Sequence, residues 1–428
     1  MLFSFGFHTG SGGTGVPKSF YDVLATTDIQ IVAKSADVYP IDAQNVAKAG
    51  AKSFIVYRQS QINGQSADVP DYMLDPTEAA RRHWQWHKDN LPKEFDPAVC
   101  WLETMNEIAK HLDYPTRAGA EKIPLHGVRQ IEKINDNLWR IYNEGWLGAF
   151  AYETARLALA DGIKWLAFGW ATGEPEPQQW AHPEMLKFLT LASQNRNRLG
   201  VAVHEYSLDT NNILAGDGWL VGRFKHLVNI CRQNGIEEPT IFISEFGWNA
   251  HDVPSEKTAV KHLDQAANIY LPYPTVTGAA IWYLGGGFNN IHKKASKLIE
   301  PVQAWLLQNR ERLSRQDIVD PVPPPPPPPA PPQPKDGQPR VQYRRVYWLV
   351  PDFVPDEERA RIYRQAAIEN VTVGPSADDA GIGNLKDKTV IVFGWPKQEQ
   401  VALREWYKVH YPGTKVFFRD IFTGEPVS

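Results

Sequence analysis

Two carboxylates stand at the ends of apolar runs. Cys100-Trp101-Leu102-Glu103-Thr104-Met105 leads into Asn106-Glu107, and Thr240-Ile241-Phe242-Ile243-Ser244 leads into Glu245. Short apolar runs bounded by polar groups suit buried strands. Two strands that each end in an acid can bring both acids to one substrate. That arrangement suits cleavage of a glycosidic bond, in which one acid protonates the leaving oxygen. The second carboxylate attacks the anomeric carbon or activates water. The two need different pKa values to hold different roles at one pH. Glu245 is expected to stay ionised, accepting a hydrogen bond from Tyr206 with the cation Arg58 nearby. Glu107, read among Trp and apolar strand residues, is expected to be desolvated and protonated.

Such acids must be held by a frame, and strand and helix signals alternate along the first 315 residues. Strands are read at 2–8, 29–34, 53–58, 98–105, 164–169, 200–204, 240–244 and 277–284. Helices are read at 17–26, 42–49, 76–90 (capped by Asp75), 128–161, 183–198, 218–234, 255–270 and 293–313. Eight such units over residues 1–315 predict an α/β fold, a (β/α)8 barrel, with the working groups on its carboxyl-terminal rim. A doubly wound open sheet is the alternative. His8, Lys34, Arg58, Asn106, Glu107, Trp170, His204, Tyr206, Glu245 and Trp282 stand at the read strand ends, and Trp248 lies just beyond. His8, Lys34 and the three Trp are therefore candidate substrate contacts, since Trp rings stack on flat sugar faces. Glu103 shares the parity of Glu107 and reads as an interior, hydrogen-bonded acid. Glu205 points away from His204 and Tyr206 by strand alternation. Glu174-Pro175-Glu176-Pro177 reads as a solvated loop at one end of the cleft.

The glycine-rich stretch from Gly10 to Gly15 follows a strand and precedes a helix, the context of a phosphate loop. It lacks a Gly-Lys-Ser/Thr ending, and its spacing is not the dinucleotide fingerprint. It reads as a flexible loop over the cleft. No lysine is read inside a strand and no His-x-His pair occurs, which argues against an aldolase or a metal-dependent hydrolase. No metal or organic cofactor is expected.

A proline run, Pro323 to Pro329, lies within a segment, 316–340, that reads as a stiff polyproline II spacer. Residues 341–428 read as a small α/β accessory domain. Its strands are placed at 346–350, 388–393 and 415–418, and its helices at 356–370 and 397–411; Asp378 and Asp379 fall in a loop. It shows no catalytic constellation, and binding of a glycan, a cell wall or a protein partner is the expected role. A net charge of −4 gives no electrostatic case for nucleic acid as partner. Cys100 and Cys231 sit in apolar contexts, without disulfide or zinc spacing. The start, Met1 to His8, reads as a strand and not a signal peptide. No apolar run suits a membrane helix. Location is left open between the cytoplasm, release by lysis and a longer start.

The runs Glu103-Thr104-Met105-Asn106-Glu107, His204-Glu205-Tyr206 and Ser244-Glu245-Phe246-Gly247-Trp248 resemble the strand-four, strand-six and strand-seven signatures of glycoside hydrolase clan A. The closest flavour is family 5, the cellulase and mannanase group. The resemblance implies a retaining glycosidase cleaving a β-linked poly- or oligosaccharide. It implies Glu107 as general acid/base, Glu245 as nucleophile and Asn106 on the sugar 2-hydroxyl. His204 and Tyr206 would order the site, Trp282 would be the platform under the sugar, and Arg58 would lie near the nucleophile. The alternative is a barrel that binds carbohydrate without cutting it, with the C-terminal domain as the working module.

Overall fold

Eight runs that are apolar on both faces can only be satisfied between two packed layers, and they close on themselves. In the computed structural model the strands are β1 (Phe5–Gly10), β2 (Ile31–Ala36), β3 (Ser53–Arg58), β4 (Cys100–Glu103), β5 (Lys164–Trp170), β6 (Leu199–Tyr206), β7 (Thr240–Gly247) and β8 (Val276–Ile281). They form one closed barrel in that sequential order, β1 pairing with both β2 and β8. Every pairing is parallel. The chain carries a (β/α)8 barrel. The structure describes residues 3–135, 137–249, 251–314, 346–351, 353–369, 371–374, 389–410 and 413–421. The expected spacer at 316–340 and the Asp378–Asp379 loop lie outside these residues. The chain divides into two compact units, Met1–Pro324 and Pro325–Ser428.

Around the barrel run α1 (Lys18–Ala25), α2 (Ile41–Lys48), α3 (Pro76–Asp89), α4 (Glu144–Asp161), α5 (Pro183–Gln194), α6 (Phe224–Gln233), α7 (Glu256–Tyr270) and α8 (Ile299–Gln308). Asp75 caps α3, accepting from the Thr77 and Glu78 amides. One large core lies between helices and strands, built from residues such as Phe5, Phe7, Leu102, Trp165 and Phe246. A smaller plug fills the barrel itself: Val32, Phe54, Val56, Trp101, Leu166, Ala202, Phe242 and Ala280. Alternation then carries Lys34, Arg58, Glu103 and His204 into the same interior, one layer closer to the rim.

Three sequence readings need correction. Residues 128–161 are not one helix: Gln130–Asn135 and Leu138–Tyr142 form a hairpin, joined by His111–Tyr114 into a three-stranded antiparallel sheet. Ile131, Ile134, Leu138 and Ile141 fall three or four apart, which mimics a helix face. The helix read at 218–234 begins only at Phe224, because Gly218 and Gly222 take left-handed backbone (φ 82° and 85°). The closing helix is broken into short pieces before α8, whose first turn holds Pro301, where a missing N–H costs little.

The second unit is a four-stranded parallel sheet. Its strands β9 (Val346–Leu349), β10 (Thr372–Gly374), β11 (Thr389–Phe393) and β12 (Lys415–Arg419) lie in the order β10-β9-β11-β12. Helices α9 (Asp356–Glu369) and α10 (Gln400–His410) accompany it. Strand β10 has only three residues and escaped the sequence reading.

Candidate active site

Glu245 is the centre of the polar layer and is 4% exposed. Strict alternation on β7 would send either Ser244 or Glu245 outward. Both reach the interior, because the register against β6 shifts between Val203 and His204, which pair with Ile243 and Glu245. The bulge re-aims one side chain. Oε2 of Glu245 accepts from the Tyr206 hydroxyl at 2.8 Å and lies 3.4 Å from His204 Nδ1. Its Oε1 lies 3.4 Å from Arg58 Nη1, 3.6 Å from Lys34 Nζ and 3.6 Å from His8 Nδ1. Glu103 is fully buried and pairs with Lys34 at 3.0 Å, while Ser244 Oγ lies 3.4 Å from it.

Glu107 sits one turn beyond β4 in left-handed backbone (φ 44°), its amide donating to the Gly169 carbonyl at 2.7 Å. His204 Nδ1 lies 3.2 Å from its carboxylate. With the proton on Nδ1, that bond favours the charged form, and it holds the Glu107 pKa below the ordinary carboxylate value against the opposing effect of burial. The expectation of a desolvated, protonated Glu107 is thus overturned in the open cleft. The side chain is 52% exposed. Asn106 accepts from Arg58, which fixes its amide, and the Asn106 amide N–H donates to the Asp68 carbonyl.

Arg58, Asn106, Glu107, Tyr206, Glu245 and Trp282 line one cleft of about 340 Å³, and His204 lies buried beneath it. Four other candidates do not reach it. Trp170 is fully buried in the outer core against Phe168 and Trp180. Trp248 is 1% exposed, its indole donating to His262 Nδ1. Lys34 and His8 are not on the rim; both are fully buried below Glu245. Lys34 lies inside β2, so the absence of a lysine within a strand does not hold. Burial, ahead of its neighbours, lowers the Lys34 pKa and pushes the His8 pKa well down. His8 packs under Trp282 and Tyr283 (ring centroids 4.9 and 5.0 Å).

Four cleft residues escaped the sequence reading: Ala171, Thr172, Leu208 and Phe288. Thr172 accepts from the Tyr206 amide at 3.0 Å. Phe288 is 45% exposed, edge-on to Trp282. An aromatic residue directly after Gly285-Gly286-Gly287 was the available signal for it. The Gly10–Gly15 loop does not cross this cleft. It is tied to the end of β8, Thr14 N donating to Leu284 O and Gly286 N to Ser11 O. Glu174 and Glu176 both pair with Lys110, and Glu176 also with Arg223. Glu205 is fully buried on the outer face, accepting from the Gly222 and Phe224 amides and the Tyr270 hydroxyl.

No protein-family model and no curated protein matches the chain. Among solved structures it is similar to N2152 from Neocallimastix frontalis, at 15% identity and a TM-score of 0.34, over 68% of this chain and 66% of that one. The chain therefore spans just under two thirds of that protein. It is similar to the rutinosidase from Aspergillus niger at 11% identity and TM-score 0.36, over 67% of this chain and 82% of that one. A Bacteroidetes-affiliated GH5 cellulase gives 13% identity and TM-score 0.36, over 74% and 95% of the two chains. Likenesses this faint leave function to the site itself. Among the described residues, no helix is long and apolar enough to cross a membrane.

Proposed function

We propose that the barrel is a retaining glycoside hydrolase acting on β-linked poly- or oligosaccharide. The observation that carries this reading is the separation of the two acids. An oxygen of Glu107, an oxygen of Glu245 and a nitrogen of His204 all lie within 4.8 Å of one another. Retaining enzymes hold their carboxyls about 5–5.5 Å apart, whereas inverting ones need about 6.5–9.5 Å to admit a water. Glu245, ringed by Tyr206, Arg58, Lys34 and His204, suits the nucleophile. Glu107, which reaches solvent, suits proton exchange with a leaving group. In the first step Glu245 forms a bond to the anomeric carbon as the C–O bond to the leaving group breaks, and Glu107 gives that oxygen a proton. In the second step Glu107 takes a proton from water, which attacks the anomeric carbon and releases Glu245. A sugar seated on Trp282 would exclude water from Glu107, favouring the protonated acid that the first step needs.

Hydrolysis of aryl β-glycosides tests this. Glu245→Ala is expected to abolish turnover, with azide restoring cleavage as a glycosyl azide; wild-type rates in both Glu245→Ala and Glu107→Ala would sink the reading. Glu107, His204 and Glu245 could also ligate a cation. Against that, Lys34 and Arg58 already place positive charge at Glu245. Chelator is therefore expected to leave the rate unchanged.

A further inference from the structure

The glycine-rich loop has its own cavity, separate from the acid cleft. It encloses about 380 Å³ between the ends of β1 and β2 and the starts of α1 and α2. That is within the range of small-ligand sites, roughly 300–1,000 Å³. Strand alternation explains its position. His8 and Lys34 point into the barrel, so the next residues, Thr9 and Ser35, point outward and floor this cavity, joined Oγ1 to Oγ at 2.9 Å.

Two polar groups in its wall lack protein partners. Tyr21, which lines the cavity, is 5% exposed, and its hydroxyl has no partner among the described residues. Asp42, in the first turn of α2, has a half-buried carboxylate with neither hydrogen bond nor ion pair among the described residues. The two feel each other: after burial, Asp42 is what pushes the Tyr21 pKa up. Tyr39 adds an aromatic wall, its own hydroxyl held by Gln44. The lining contains no Lys, Arg or His. A phosphate or other anion would therefore meet an uncompensated carboxylate. A neutral polyhydroxylated ring fits: its hydroxyls donate to Asp42, accept from Tyr21, and its face lies on the tyrosines.

The cavity also adjoins the acid cleft. Trp282 stacks on Tyr283 (centroids 4.1 Å, 18° between planes), and a Cβ at Gly10 would fall 1.9 Å from the Tyr283 hydroxyl oxygen. We propose that this pocket is a second, non-catalytic binding site for a neutral sugar unit, with Asp42 and Tyr21 as its polar contacts. The choice of a sugar leans on the glycosidase reading of the neighbouring cleft; the pocket's chemistry does not.

Hydrogen–deuterium exchange on the full chain carrying Glu245→Gln tests it, with β-linked hexaoses of glucose, mannose, xylose and N-acetylglucosamine, and inorganic phosphate, as probes. At least one hexaose is expected to slow exchange in residues 9–16 and 38–43. Asp42→Asn and Tyr21→Phe should each weaken that protection by about tenfold, as loss of one strong hydrogen bond does. Protection of the cleft segment 282–288 should persist in both variants, and melting curves check that they fold. The inference is overturned if no hexaose protects 9–16 and 38–43, if only phosphate does, or if both variants bind like the parent. Protection confined to 282–288 would remove this site and leave the glycosidase reading standing. Inert aryl glycosides with protected 9–16 and 38–43 would do the reverse.

Discussion

His204 sets what the two acids can do. Its Nδ1 lies 3.2 Å from Glu107 and 3.4 Å from Glu245, so one ring serves both carboxylates. A donor to a carboxylate favours its charged form, and that is the largest cause of the lowered Glu107 pKa. If Glu107 must be protonated to act, activity falls as pH rises through its pKa. His204→Ala removes the donor and lets that pKa rise. The alkaline limb of kcat/KM for a poor leaving group is therefore expected to move to higher pH, even as the rate drops. An unmoved limb would mean that Glu107 is not the titrating acid. Lys34 is the complementary case. It is fully buried between Glu103 and Glu245, and removing one partner of a buried pair costs about 3–5 kcal/mol. Lys34→Met is expected to lower stability by that amount in denaturant unfolding. Calorimetry that finds Lys34→Met as stable as the parent would show that the two carboxylates do not depend on it.

Glu205 shows how a strand positions the element that follows it. Facing outward from β6, it gathers the Gly222 and Phe224 amides at the start of α6 and the Tyr270 hydroxyl of α7. Burial raises its pKa to about 7, with the three donors opposing. The folded state thus holds a proton that the unfolded chain releases near the ordinary carboxylate value. That stability is fully present at low pH and is lost as pH rises through about 7. Unfolding free energy is expected to decline between about pH 4.5 and 7, and Glu205→Gln should flatten that decline. Equal slopes in the two proteins would refute it. The barrel strands were legible because each is apolar on both faces and ends at polar or glycine residues. The hairpin at 130–142 was not, since its isoleucines fall at helical spacing. The inward aim of Glu245 was not legible either: it depends on a register shift between β6 and β7, which is a property of the pair and is written in neither strand alone. Similarly, Trp170, Trp248 and Trp282 are one residue type at comparable strand ends. Only backbone geometry separates the first two, in the core, from the third, in the cleft.

The barrel is complete without the C-terminal unit. Its β1 pairs with β8, so all eight strands and both apolar cores come from residues before 315. The second unit has a sheet and cores of its own, built on residues such as Tyr347, Val392 and Tyr407 in one and Trp348 and Ile362 in the other. No acid cluster comparable to Glu107, His204 and Glu245 occurs among its described residues. If catalysis belongs to the barrel and the second unit serves attachment, the two functions should separate on cutting the chain. A protein ending at residue 314 is expected to hydrolyse soluble aryl β-glycosides with kcat and KM unchanged. It is expected to lose retention on insoluble polysaccharide or isolated cell wall, measured by sedimentation against the full chain. If the truncated chain were inactive though folded by circular dichroism, the barrel would not be a self-sufficient catalyst. If instead it were retained as well as the full chain, the attachment role would pass from the second unit to the barrel's own surface.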